Sequence, residues 1–226
     1  MRVEPERRYT SSRVQARAAQ GTGGPRISGY AAKFHKYSED LGGWIERIAP
    51  SAFNMSKGVG WPRVVARYNH DPNMILGTIA GGTLTLTTDE VGLFYEVEPP
   101  RTRADVVELV ERGDVSQSSF AFQLTGEGSD EWDVTESGMP RRTLLSVRLI
   151  DVAPVWLPAY PDTDAAIRSL AKHVAAPPEQ VRSLAAKGAL HKLLSRSDAP
   201  HRTPAQASSY LDTRRDPWSH LDVARR

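Results

Sequence analysis

The sequence contains no cysteine, and that one absence removes disulfides, a thiol nucleophile, iron–sulfur clusters and cysteine-based zinc sites. Chemistry on this chain must run on hydroxyls, imidazoles, carboxylates, Lys or Tyr, with a hydroxyl as the leading candidate for covalent catalysis. Long apolar runs are also missing. None approaches the roughly 18 residues needed to cross a bilayer, and the opening stretch MRVEPERRYTSSRVQARAAQ lacks the apolar centre of a secretory signal. The expectation is a soluble protein that is neither exported nor membrane-spanning. A dominant charge is lacking as well, since 29 Lys and Arg face 27 Asp and Glu. From Asp164 onward there are 11 basic and 6 acidic residues, a balance of +5, which leaves residues 1–163 at −3. A body of that sign does not gather the basic face that nucleic-acid binding requires, so no specific nucleic-acid partner is expected.

What is present is enough for one domain with tails: 226 residues, 39% hydrophobic. Residues 1–26 are Arg-rich, contain the Gly21-Thr22-Gly23-Gly24-Pro25 stretch and show no hydrophobic period, which reads as a flexible arm. Strand patterns follow: ISGYAAKF from Ile27, WIERIAPSAF, RVVARYNHDPNMILGTI, and then a period-two alternation through Leu84, Leu86, Leu93, Tyr95 and Val97. Residues 102–112 change to a helical stripe of Val106, Val107, Leu109 and Val110, with Gly113 placed for a left-handed cap. Beyond lie the strand VSQSSFAFQL, a polar hairpin over residues 126–139, and one long strand through RRTLLSVRLIDVAPVWLPAYPDT. With few strand–helix–strand alternations, the fold class expected is α+β, a mainly antiparallel β-barrel or sandwich with a few helices. Residues 27–163 form the expected domain. Residues 164–226 read as a basic, largely disordered tail carrying one amphipathic helix over 179–194, from Val181, Leu184, Leu190 and Leu194.

Three segments carry candidate chemistry. His70 stands at the end of an apolar strand and just before Asp71-Pro72, where a rigid strand can present it to a cleft; a turn histidine with a satisfied hydrogen bond is the plainer reading. In Ser116-Gln117-Ser118-Ser119-Phe120-Ala121-Phe122, the alternation turns Phe120 and Phe122 to the core and Ser119 to the opposite face, while Ser118 shares the Phe parity. A polar lead-in after a helix cap is the competing account. Asp151 is the one carboxylate in an apolar strand and should be either partly exposed or paired with a donor such as an imidazole, a structural salt bridge to an arginine being the competing account, because an unpaired buried carboxylate costs several kcal/mol. A serine, a histidine and a buried acid on separate segments are the parts of a serine hydrolase.

Taken in order, GYAAKF, ERIAPSAF, YNHDPNMILGTI, a helix ending in RGDVSQSSFAF, and LIDVAPVWLPAYPDT resemble the prohead proteases of tailed bacteriophages, over about residues 27–165. The resemblance implies the barrel fold of the herpesvirus assemblins and a serine endopeptidase that cleaves the scaffolding portion of the capsid protein. It matches Ser119 to the nucleophile, with Ser118 as the rival that strand parity disfavours, and His70 to the catalytic histidine. Related sequences often carry Glu-Val-Ser where this chain has Asp151-Val152-Ala153, and the shorter Asp serves only if its backbone lies closer to His70. Backbone N–H groups are expected to hold the oxyanion, and no cofactor or metal is expected. The implied partner is the major capsid protein with its scaffolding segment, the implied place of action the procapsid assembling in the host cytoplasm, and the implied fate of the tail targeting or self-cleavage. The related viral proteases act as dimers, which extends the expectation to a homodimer. Two other classes stay open: an inactive scaffold protein keeping the fold, and a non-enzymatic β-barrel binding module.

Overall fold

The computed structural model describes residues 5–10, 12–18, 23–156 and 163–194. Twelve strands form three sheets among these residues: β1-β9-β12-β5-β6, β2-β3-β8-β7 and β10-β11-β4. The strands are β1 (Glu6–Thr10), β2 (Gln15–Arg17), β3 (Arg26–Lys33), β4 (Ile45–Ile48), β5 (Val65–Arg67), β6 (Ile75–Thr78), β7 (Leu84–Thr88), β8 (Gly92–Val97), β9 (Gln117–Leu124), β10 (Asp130–Val134), β11 (Pro140–Leu144) and β12 (Val147–Val155). Helices α1 (Asn54–Gly58), α2 (Ala104–Arg112), α3 (Thr163–His173), α4 (Pro178–Ala185) and α5 (His191–Leu194) complete the described chain.

The α+β class stands, but none of the three sheets closes into a barrel. Pairing is antiparallel apart from β4 with β11 and β5 with β12, which run parallel. The five- and four-stranded sheets share one apolar core, with Ile27, Phe53, Leu76, Leu93, Tyr95, Phe120, Phe122 and Val152 buried in it. Phe53 meets Phe120 edge-on at 5.6 Å, and Phe120 stacks with Phe122 at 5.3 Å. Each fully buried side chain of this kind is worth about 1.5–3 kcal/mol of transfer free energy. Two hydrogen bonds stitch the sheets at a corner: Thr10 Oγ1 donates to the Tyr30 carbonyl at 2.7 Å, and the Val14 N–H to the Ser116 carbonyl at 3.0 Å. Helix α2 buries Val106, Val107 and Val110, and Gly113, at φ 86°, closes it in the left-handed region where a Cβ is penalised.

Three expectations from the sequence need correction. The Arg-rich arm is in part strand. Residues 6–10 pair with β9 and residues 15–17 with β3, and two of the three charges of β1 are buried: Arg8 binds Glu46 at 2.7 and 2.9 Å, while Glu6 receives Arg142 at 2.6 and 3.1 Å. A charged stretch reads as solvated when its partners stand 38 and 136 residues away. The long strand after the hairpin is two strands in two sheets. The chain turns between β11 and β12, where the N–H groups of Leu145 and Ser146 both donate to the Ser129 carbonyl. The segment read as a disordered tail folds through residue 194, and the single helix over 179–194 is α4 and α5, parted at Gly188 (φ 62°). Its apolar residues Ile167, Leu170, Val181, Leu190 and Leu194 form a second core with Trp44 and Trp132, whose rings lie 6.0 Å apart. These short helices complete their core with the two tryptophans, which come from earlier in the chain. Residues 195–226 lie outside the described residues, as do Pro158 and Ala159 of the family-like ending. Among the described residues, no helix is long and apolar enough to cross a membrane.

A candidate Ser–His–Asp active site

Strand β9 is the centre of the site because both of its faces are used. Phe120 and Phe122 point to the core, and Ser118, on the same parity, is fully buried with its Oγ 3.2 Å from the Tyr95 hydroxyl. Burial pushes the Tyr95 hydroxyl above its ordinary pKa, so it remains a neutral partner of Ser118. Gly29 completes this niche, since a Cβ there would stand 2.7 Å from Ser118 Oγ. Ser118 is thus a packed core hydroxyl, and Ser119 turns to the opposite face of the strand.

On that face, strand register does the assembly. Ala153 is the cross-strand partner of Ser119, and Asp151 is the partner of Ala121, so Asp151 sits two residues along on the neighbouring strand and on the same side. A register shift between Leu149 and Asp151 marks a bulge there, and a bulge re-aims the side chain that follows it. His70 comes from the other neighbour of β12. After β5 the chain enters a tight 3-10 turn, Tyr68–His70, in which Asn69 (φ 51°) and His70 (φ 58°) both adopt left-handed backbone. Such a conformation costs a non-glycine residue about 1–3 kcal/mol and persists only where the surroundings enforce it. Here the turn is tied by Tyr68 N–H to the Met74 carbonyl and Asp71 N–H to the Tyr68 carbonyl, both at 3.0 Å, and by Trp156 N–H to Asn69 Oδ1 at 3.3 Å. Asp71 caps the next bend by accepting from the Asn73 N–H at 2.8 Å, so its role is in the turn.

The outcome is a continuous chain of contacts. His70 Nδ1 lies 2.5 Å from Asp151 Oδ1, and His70 Nε2 lies 2.6 Å from Ser119 Oγ. All three residues are buried. A carboxylate only accepts, so Nδ1 carries the proton toward Asp151, and the lone pair of neutral Nε2 faces the Ser119 hydroxyl. The Arg8 carbonyl on β1 is a second acceptor for that hydroxyl, at 2.8 Å. One hydroxyl proton can serve only one of the two. Once His70 is an imidazolium, its Nε2–H donates to Oγ and the hydroxyl proton is free to turn to Arg8.

Both partners considered for Asp151 in the sequence are found. Oδ1 takes the imidazole, and Oδ2 accepts from Arg67 Nη1 at 3.0 Å. The missing methylene is made up by backbone placement, since β12 lies beside β5 and β5 runs straight into the His70 turn. Arg67 and the Arg8 carbonyl carried no signal in the sequence, one being an ordinary strand arginine and the other a backbone atom of a segment that looked unstructured. Among the described residues, no group of three or more His, Asp or Glu side chains gathers as metal ligands would.

A family model of caudovirus prohead serine proteases matches residues 12–176, which includes every side chain of this site. The chain belongs to the caudovirus prohead serine protease family. Comparisons with curated proteins and with solved structures gave no match. Within the family match fall β2 to β12 together with α1 to α3, while β1, whose Arg8 carbonyl touches the serine, precedes it.

Proposed function

We propose that this prohead protease family member is an active serine endopeptidase of phage head maturation, with Ser119 as nucleophile, His70 as general base and then general acid, and Asp151 as the group that orients His70. The observation that carries this reading is the Asp151–His70–Ser119 relay at 2.5 and 2.6 Å on one face of the β9–β12 pair. Ser119 Oγ attacks the scissile carbonyl carbon while Nε2 takes its proton. The imidazolium, stabilised by Asp151, then returns that proton to the leaving amine, and water repeats the sequence on the acyl-enzyme. Backbone N–H groups serve the oxyanion. The family relation supports the capsid protein with its scaffolding segment as substrate, inside the procapsid in the host cell. It also supports kinship with the assemblin barrel, of which the two corner-stitched sheets would be an opened form. We further propose that the C-terminal basic segment is removed by self-cleavage.

Co-expression with the capsid protein tests the core of this reading. Wild type is expected to shorten the capsid protein, and Ser119→Ala and His70→Ala are expected to leave it intact. Cleavage that persisted in Ser119→Ala would remove Ser119 as nucleophile. Intact masses of purified wild type and Ser119→Ala that differ only by the serine oxygen would rule out self-trimming in that preparation.

A further inference from the structure

We propose that Arg67 is a positioning residue of this site, holding the Asp151 carboxylate in the one orientation from which an aspartate reaches His70. The inference rests on the serine-protease reading above and adds a member to its machinery. Asp151 is only 2% exposed, so a side chain free to rotate there would leave one oxygen without a donor. Its two oxygens are divided instead: Oδ1 to His70 Nδ1 and Oδ2 to Arg67 Nη1. Both residues stand at irregularities in the sheet. The register of β12 against β9 shifts between Leu149 and Asp151, and the register of β5 against β6 shifts between Ala66 and Arg67. The extra residue of the first shift, Ile150, lies on β12 directly before Asp151, and that of the second, Leu76, lies on β6 opposite the end of β5, so the ladder is interrupted on both sides of the Arg67–Asp151 contact, beside the turn that delivers His70.

The contact is made through one guanidinium nitrogen. Arg67 Nε makes no hydrogen bond, so the fork is not used bidentately. What Asp151 receives is one charged donor at one place, and a lysine ammonium can supply that where it cannot replace a bidentate arginine. The contact acts on geometry, because a charged donor at 3.0 Å from Oδ2 fixes where Oδ1 meets the imidazole. An acid one methylene shorter than Glu has fewer ways to meet the imidazole, which is why it needs a second anchor.

The test uses the full chain with two readouts, one of them independent of any substrate. Proton NMR should show a low-field resonance from the hydrogen-bonded Nδ1–H of His70, assigned by its disappearance in His70→Ala. In Arg67→Ala that resonance is expected to vanish or broaden into exchange, and phosphonylation of Ser119 by a fluorophosphonate probe, with loss of fluoride, should slow by roughly tenfold to a hundredfold, the scale of a misplaced catalytic group. Arg67→Lys should recover the resonance and most of the rate. An Arg67→Ala protein that keeps both would overturn the proposal. So would equal losses in the Ala and Lys variants with lowered melting temperatures, which would make Arg67 a structural ion-pair residue. If wild-type Ser119 takes no label at all, the nucleophile assignment fails by itself, and the resonance still decides the role of Arg67.

Discussion

Two buried clusters of charge flank this structure's central strands, and they differ in what they leave undone. The first joins Glu6 and Arg8 of β1, Glu46 of β4, Asp130 of β10 and Arg142 of β11. Arg142 donates to Glu6, Glu46 and Asp130 at 2.6–3.1 Å, and Arg8 donates to Glu46 and Glu6. Burial opposes the charge on both arginines, but Glu46 and Glu6 more than offset it, so each guanidinium is held above its ordinary pKa. The second joins Asp151, Arg67, His70 and Ser119. There the chain of donors ends on a neutral hydroxyl facing the lone pair of an imidazole. Buried charge by itself does not make a reactive site. In the first cluster every charge is answered by another charge, and such a network ties sheets together. In the second, the ionic contact stops one residue short, and the histidine is left able to take a proton.

Breaking the second cluster should cost reaction and little stability. Ser119→Ala and His70→Ala are each expected to lower kcat by about 10⁵–10⁶-fold, with the double variant no worse than either alone, because the pair acts as a unit. Peptide-cleavage kinetics on a capsid-derived substrate would show this, and losses that multiplied would argue against a shared proton transfer. Asp151→Asn should follow with a loss on the order of 10⁴-fold, since the amide no longer enforces the Nδ1–H tautomer. Breaking the first cluster should reverse the pattern. Arg142→Met takes a donor from three carboxylates, leaving Glu6 and Glu46 with Arg8 and Asp130 with neither arginine, and is expected to destabilise the fold by about 3–5 kcal/mol in denaturant unfolding, while the molecules that remain folded keep their cleavage rate. The smallest effect sharpens the comparison on β9 itself. Ser118→Ala removes the partner of a buried tyrosine hydroxyl, a cost of about 1–3 kcal/mol, and should leave most of the activity.

How far the site could be read in advance depended on the range of the interactions. Period-two alternation separated Ser118 from Ser119 because adjacent residues in a strand always face opposite ways, and the structure keeps Ser118 on the Tyr95 side. Helix α2 and its Gly113 end were legible for the same reason, as local periodicity and local capping chemistry. Asp151 announced only that it needed a donor. The bulge that aims it at His70 has no compositional mark, and neither does the parallel pairing that puts Arg67 beside it. The N-terminal strand misled outright. Its run of Glu and Arg is what a solvated arm looks like, until Glu46 and Arg142 arrive from another sheet.

The amino-acid order alone excluded cysteine chemistry and set Ser119, His70 and Asp151 on separate segments, and it determined which of two adjacent serines faces away from the core. Those are consequences of residue type and short-range periodicity. The tertiary structure decided that three sheets stand open where one barrel was expected, that residues 163–194 fold around Trp44 and Trp132, and that a shorter acid reaches the imidazole with Arg67 on its other oxygen. Each of these depends on pairing between segments tens of residues apart. Such pairing is set by the packing of the whole chain, and no local pattern encodes it.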